Sequence, residues 1–76
     1  MRIFILINTH YGQEDEVAKE VATIDNVTVV QQTFGPYDIY AEAVVDEERD
    51  NLMLELRKIR GIHSTLTLIG IQSSIG

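Results

Sequence analysis

The residues best suited to hold a small molecule are Gly35, Tyr37 and Asp38, in the stretch Phe34-Gly35-Pro36-Tyr37-Asp38, with Thr65 and Thr67 further along the chain. Gly35 has no Cβ, so it suits a tight turn and also lets a ligand approach the backbone closely. Asp38 falls one residue inside a stretch that reads as a strand, where aspartate has poor propensity and an unpaired buried carboxylate is costly. Three arrangements satisfy it: exposure at the sheet rim, capping of the turn amides, or pairing with a ligand ammonium. Thr65 and Thr67 share one strand face by their two-residue spacing. Threonine is a common strand residue, so packing is the plainer reading and a hydroxyl contact to a ligand the sharper one. Which face they occupy relative to Asp38 depends on strand pairing. Tyr37 and Tyr40 read as packing or interface aromatics rather than as catalytic acids. Gln32, Phe34 and Tyr37 together admit both polar and apolar ligands.

Signs of covalent or metal chemistry are weaker. The chain has no cysteine, which removes disulfides, thiolate metal sites and a cysteine nucleophile. His10 and His63 are far apart in the chain, make a poor zinc site, and have no nucleophile or carboxylate at a spacing that suggests a general base. Both read as surface histidines. Glu14-Asp15-Glu16 reads as a solvated helix start rather than a metal cage, and no metal or cofactor is expected. Glu42, inside a strand, calls for a basic partner, within the chain or across a dimer.

The formal charge of −6, from twelve acidic and six basic residues, repels phosphate backbones, whose recognition rests largely on Lys and Arg. The basic residues make no stripe; Arg57, Lys58 and Arg60 cluster only at one helix end. Direct nucleic-acid binding is therefore not expected. The apolar run Ile3 to Ile7 falls far short of the roughly 20 residues a spanning helix needs, and no cleavage pattern follows it. A cytoplasmic location follows by default.

Six elements must position these groups. Residues 2–8 are apolar on both alternating faces, as in a central strand covered on both sides. Residues 13–24 read as a helix with Val17, Ala18, Val21 and Ala22 as its buried stripe and acidic residues in its first turn. Residues 27–34 and 37–45 read as strands joined at Gly35-Pro36, where glycine suits the first central position of a two-residue type II′ turn. That turn sets Thr33 opposite Asp38, Gln31 opposite Tyr40, Val29 opposite Glu42 and Val27 opposite Val44. Asp46 is a good N-cap for a helix over 47–60, with Leu52, Leu56 and Ile59 buried, Met53 beside them and Gly61 as its stop. Residues 62–71 form the last strand.

The order β-α-β-β-α-β is the ferredoxin-like α+β arrangement, with both helices on one face of an antiparallel sheet and strands one and three in the centre. All 76 residues are expected to form a single domain. A domain this small buries only about 60 % of its unfolded surface, so self-association is the expected stabilising device. The sheet's second face mixes large apolar groups with a few polar ones, either Phe4 and Leu6 or Ile3, Ile5 and Ile7 coming from the first strand. Such a face marks a binding surface, and a second sheet would cover it.

With the elements placed, Phe34-Gly35-Pro36-Tyr37-Asp38-Ile39 resembles the Gly-x-x-Asp hairpin of the Lrp/AsnC effector domain, also called the RAM domain. Ile59-Arg60-Gly61-Ile62-His63-Ser64-Thr65-Leu66-Thr67-Leu68-Ile69 is similar to that domain's helix end, turn and threonine-bearing last strand, with Arg60 where the family usually has proline. The resemblance covers nearly the whole chain, and the expectation is a stand-alone member with no helix-turn-helix before the first strand. It implies a homodimer with facing sheets (a dimeric α/β barrel) assembled into a larger ring. It also implies a small ligand such as an amino acid at a subunit boundary, a non-enzymatic role in transcription regulation, and full-length Lrp/AsnC regulators as further partners. The rival expectation is a small dimeric α/β-barrel enzyme, such as a cofactor-free monooxygenase, which requires a deep pocket with a perturbed acid or base. An RNA-recognition module would need exposed aromatics in a Lys/Arg-Gly-Phe motif, and a heavy-metal carrier a Cys-x-x-Cys loop; neither is present.

Overall fold

Apolar β-branched residues at alternate positions carry Arg2–Thr9 into strand β1, and the chain wraps around it. A computed structural model describes residues 1–46 and 51–75. Helix α1 spans Glu14–Ala22, strands β2 and β3 span Val27–Gln32 and Ile39–Val44, α2 spans Leu52–Arg57, and β4 spans Ile62–Ile69. The sheet order is β2-β3-β1-β4, with every neighbouring pair antiparallel. The β-α-β-β-α-β ferredoxin-like expectation is met, with β1 and β3 central.

Ile3, Ile5 and Ile7 face the helices and are buried, paired on that side with Ala43, Ala41 and Ile39 of β3. Val17 and Val21 of α1 and Leu52 and Leu56 of α2 close the core over them. Phe4 and Leu6 therefore belong to the opposite, open face, which settles the choice left by the sequence. Among the described residues no helix is long and apolar enough to cross a membrane.

Several details depart from expectation. The β2–β3 register holds as far as Val29 opposite Glu42, but Val27 faces Ala43 instead of Val44. Thr28 is the extra residue of this irregularity, and its Oγ1 donates to the Glu42 carbonyl at 3.3 Å. The ladder stops at Gln32 opposite Ile39, and the Thr33 amide donates to the Asp38 carbonyl at 2.9 Å. Phe34–Tyr37 is thus a four-residue connection rather than a two-residue turn; Thr33 Oγ1 holds it by donating to the Tyr37 carbonyl at 2.7 Å.

The first helix is shorter than 13–24, and Ala22 is exposed. The described second helix is only Leu52–Arg57; residues 47–50, and with them the amides Asp46 would cap, lie outside the described residues. It also ends before residue 60, because its last turn tightens: Lys58 N–H donates to Glu55 O at 3.2 Å and Ile59 N–H to Leu56 O at 3.1 Å. The last strand stops at Ile69, where the Gly70 amide donates to the Arg2 carbonyl.

Gly61 lies beyond the helix end, at φ +96°, and a Cβ there would stand 2.9 Å from Val17 Cγ2 and 3.1 Å from Gln13 Cβ. Gly35, at φ +133°, has open space around it. Gly61→Ala should therefore combine backbone strain with overpacking and cost at least about 2 kcal/mol, against about 1 kcal/mol for Gly35→Ala. Urea-denaturation midpoints of the two variants check this, and equal shifts would contradict the packing argument.

Candidate functional site

Asp38 lies just before β3 rather than one residue inside it, and ties the start of that strand to the end of β1. Its amide donates to the Ile7 carbonyl at 2.9 Å. Its carboxylate accepts from the Thr9 amide at 2.8 Å and from Thr9 Oγ1 at 3.3 Å. Of the three arrangements open to it from sequence, the structure shows the capping of an amide, though the amide is across the sheet rather than in its own turn. Both bonds fall on Oδ2, so Oδ1 retains acceptor capacity.

Asp38, Thr33, Gln32 and Phe34 line a cleft of about 580 Å³ shared with Glu14 and Asp15 from the start of α1. Gln32 Nε2 donates to Asp15 Oδ1 at 2.8 Å and joins the two walls. Three carboxylates and no basic group line this space, which makes it favourable for a cation. Gly35 and the fully exposed Phe34 ring lie in the connection above it, with Tyr37 half-buried beside them.

Thr65 and Thr67 stand elsewhere. They pair with Ile7 and Ile5 and share the helix side of the sheet. Thr67 Oγ1 approaches Met53 Sδ at 3.8 Å. Thr65 lines a groove of about 310 Å³ between α2 and β4, with Met53, Leu56, Arg57 and Ile62. Asp38 stands at the start of β3, on the far side of β1 from β4. Gly35, Tyr37 and Asp38 thus form one group and Thr65 and Thr67 another, with β1 between them; two strand spacings amount to roughly 10 Å. One chain does not bring all five together.

The open face carries Phe4 and Leu6 with Val44, Leu66 and Leu68, the last three about half exposed. Glu42 lies among them and finds the basic partner the sequence called for in its own chain. Arg2 donates to Glu42 Oε1 at 2.8 Å, and the Tyr40 hydroxyl donates to Oε2 at 2.9 Å. The Arg2 guanidinium, followed by the Tyr40 hydroxyl, holds the Glu42 carboxyl below the usual carboxylate range. Burial, reinforced by the bond to Glu42, pushes the Tyr40 phenol up. Arg2 also sits 5.5 Å from the Phe4 ring centre, within cation–π range. The negative residue was legible in sequence; its partner was not, because Arg2 reaches Glu42 only through the β1–β3 pairing.

Both histidines are exposed, as expected of surface residues, but they are neighbours in the fold. Far apart in sequence, His10 and His63 meet with ring centres 5.2 Å apart, because Thr9 pairs with Ile62 where β1 and β4 begin to part.

A four-stranded antiparallel sheet backed by two helices, with an apolar face left open, is a small domain of the ferredoxin-like class. The chain belongs to the Lrp/AsnC family: the model of the Lrp/AsnC ligand binding domain matches residues 2–75. That domain family is regulatory rather than enzymatic. No curated protein matches the chain. Among solved structures it is similar to the hypothetical protein PHS023 from Pyrococcus horikoshii, at 29 % identity and TM-score 0.83 over 96 % of this chain and 92 % of that one. It is similar to FFRP-DM1 at 30 % identity and TM-score 0.83, covering 92 % of this chain and 97 % of that one. E. coli AsnC matches at 26 % identity and TM-score 0.84, over 99 % of this chain but 53 % of that one.

Because Asp38 caps Thr9, its role in stability can be separated from any role in binding. Asp38→Ala should cost about 1–2 kcal/mol and Asp38→Asn, which keeps an acceptor oxygen, less than about 1 kcal/mol. Denaturant midpoints and the exchange rate of the Thr9 amide are the measurements; a Thr9 amide equally protected in Asp38→Ala would contradict the capping role.

Proposed function

We propose that the chain is a small-molecule sensing and oligomerisation module of transcriptional regulation, with an amino acid as the first candidate ligand. The observation that carries this reading is Asp38: a strand-end carboxylate with acceptor capacity to spare, facing an acidic cleft beside a glycine-bearing connection, in a domain of an effector-binding family. The cleft favours an ammonium group, and a charge-assisted hydrogen bond from it is stronger than a neutral one. The ligand carboxylate is met by backbone amides of the Gly35 connection, where no Cβ intervenes. Thr65 and Thr67 contribute only from another subunit, since β1 separates them from Asp38 within one chain. The ligand therefore lies at a subunit boundary.

The open face supports assembly. Phe4, Leu6, Val44, Leu66 and Leu68 form an apolar surface that a second sheet would cover, burying about 1,200–2,000 Å² in total or more. A homodimer of this kind, closed into a larger ring, is the proposed working form, and full-length Lrp/AsnC regulators are its proposed further partners. Light scattering at micromolar concentration should return a dimer or larger species, and Leu6→Asp, which places a charge on that face, should dissociate it. A wild-type monomer would contradict the assembly.

The ligand is tested by a thermal-shift and calorimetric screen of the twenty amino acids, run on the wild type and on Asp38→Ala. A true ligand at a hundredfold excess over its Kd should add about 2.7 kcal/mol of stability. Loss of that gain in Asp38→Ala supports the site. Equal binding by the variant places the ligand elsewhere, and no shift in the wild type with any compound removes the sensing role.

A further inference from the structure

We propose that His10 and His63 form a two-imidazole chelate for a divalent transition-metal ion, zinc first among them. The site lies where β1 and β4 part, and the proposal does not depend on the amino-acid site. Three observations carry it. Both side chains are exposed, so their nitrogens are open to a solvent ion. The β1–β4 register shifts at this point: Asn8 pairs with Ser64 and Thr9 with Ile62, leaving His63 as the extra residue. An irregularity of that kind re-aims a side chain, and here the His63 ring comes beside His10. The His10 backbone is itself fixed, its amide donating to the Gly61 carbonyl at 2.8 Å.

The third observation is the spacing. An imidazole nitrogen lies about 1.1 Å from its ring centre, and a zinc–nitrogen bond of roughly 2.0–2.1 Å sets the ion about 3.2 Å from each centre. At a tetrahedral angle the two centres then stand about 5.2 Å apart. The His10 and His63 centres are separated by 5.2 Å, with the ring planes inclined by 70°. A right-angled pair, as in square-planar coordination, would bring them to about 4.5 Å. The observed spacing is thus the one two imidazoles have on a tetrahedral zinc ion. Among the described residues no third His, Cys, Asp or Glu completes the group. Two positions are therefore left for water or an incoming ligand, so the affinity is that of a chelate rather than of a closed structural site.

Zinc chloride titrated into the assembled wild-type protein, followed by calorimetry and by the imidazole proton resonances, tests this. The expected result is one ion per chain, both histidine signals moving together, and affinity at least tenfold weaker in His10→Ala and in His63→Ala. Magnesium chloride should give no such signal, since that cation prefers oxygen ligands. Both variants remove exposed side chains, and unchanged circular dichroism confirms that they fold. Equal affinity in either variant overturns the proposal, as does one ion per two chains, which would mean a bridge between copies. Zinc binding no tighter than that of the single-histidine variants would reduce the pair to ring packing alone.

Discussion

β1 is apolar on both of its faces, and everything else in the molecule answers to that. Ile3, Ile5 and Ile7 point to one side and are buried; Phe4 and Leu6 point to the other and remain half-exposed. A strand of this kind has to lie in the middle of a sheet, with a layer over each surface. The chain supplies one layer, α1 and α2, through Val17, Val21, Leu52 and Leu56. The described residues leave the second surface open. The small residues Ala41 and Ala43 on β3 keep the helix side shallow, and the larger Tyr40, Glu42 and Val44 collect on the open side.

The polar groups of that open side are arranged in keeping with it. Arg2, Tyr40 and Glu42 satisfy one another within the chain. An ion pair on an apolar surface contributes little while water reaches it, and costs more to bury if either partner is left unmatched. Because the carboxylate already accepts from both neighbours, a second apolar sheet can close over it without stranding a charge. Glu42 is held below the ordinary carboxylate range, so its part in stability is present above the unfolded-state value and is lost as pH falls through the lowered folded value.

Local pattern made the element order and most of the hairpin register readable, because strand alternation and helix periodicity are short-range properties. Thr33 does face Asp38, Gln31 faces Tyr40 and Val29 faces Glu42. What alternation cannot encode is an extra residue. Thr28 displaces Val27 by one position, and His63 falls out of step with β1; both shifts are set by pairing across the sheet. The same limit hid Thr9 as the partner of Asp38, Arg2 as the partner of Glu42, and the meeting of the two histidines. It also left Thr65 and Thr67 grouped with Asp38, although β4 lies across β1 from the start of β3.

The connection from Phe34 to Tyr37 contributes no side chain to the buried core. Its geometry is held instead by the Thr33 hydroxyl and amide and by Asp38, which stand at its base. Apart from Gly35, which is held at a positive φ, mutational drift at the tip is therefore of little consequence for folding, whereas change at the base is not. Such a division lets the shape presented to solvent change while the sheet and helices stay the same.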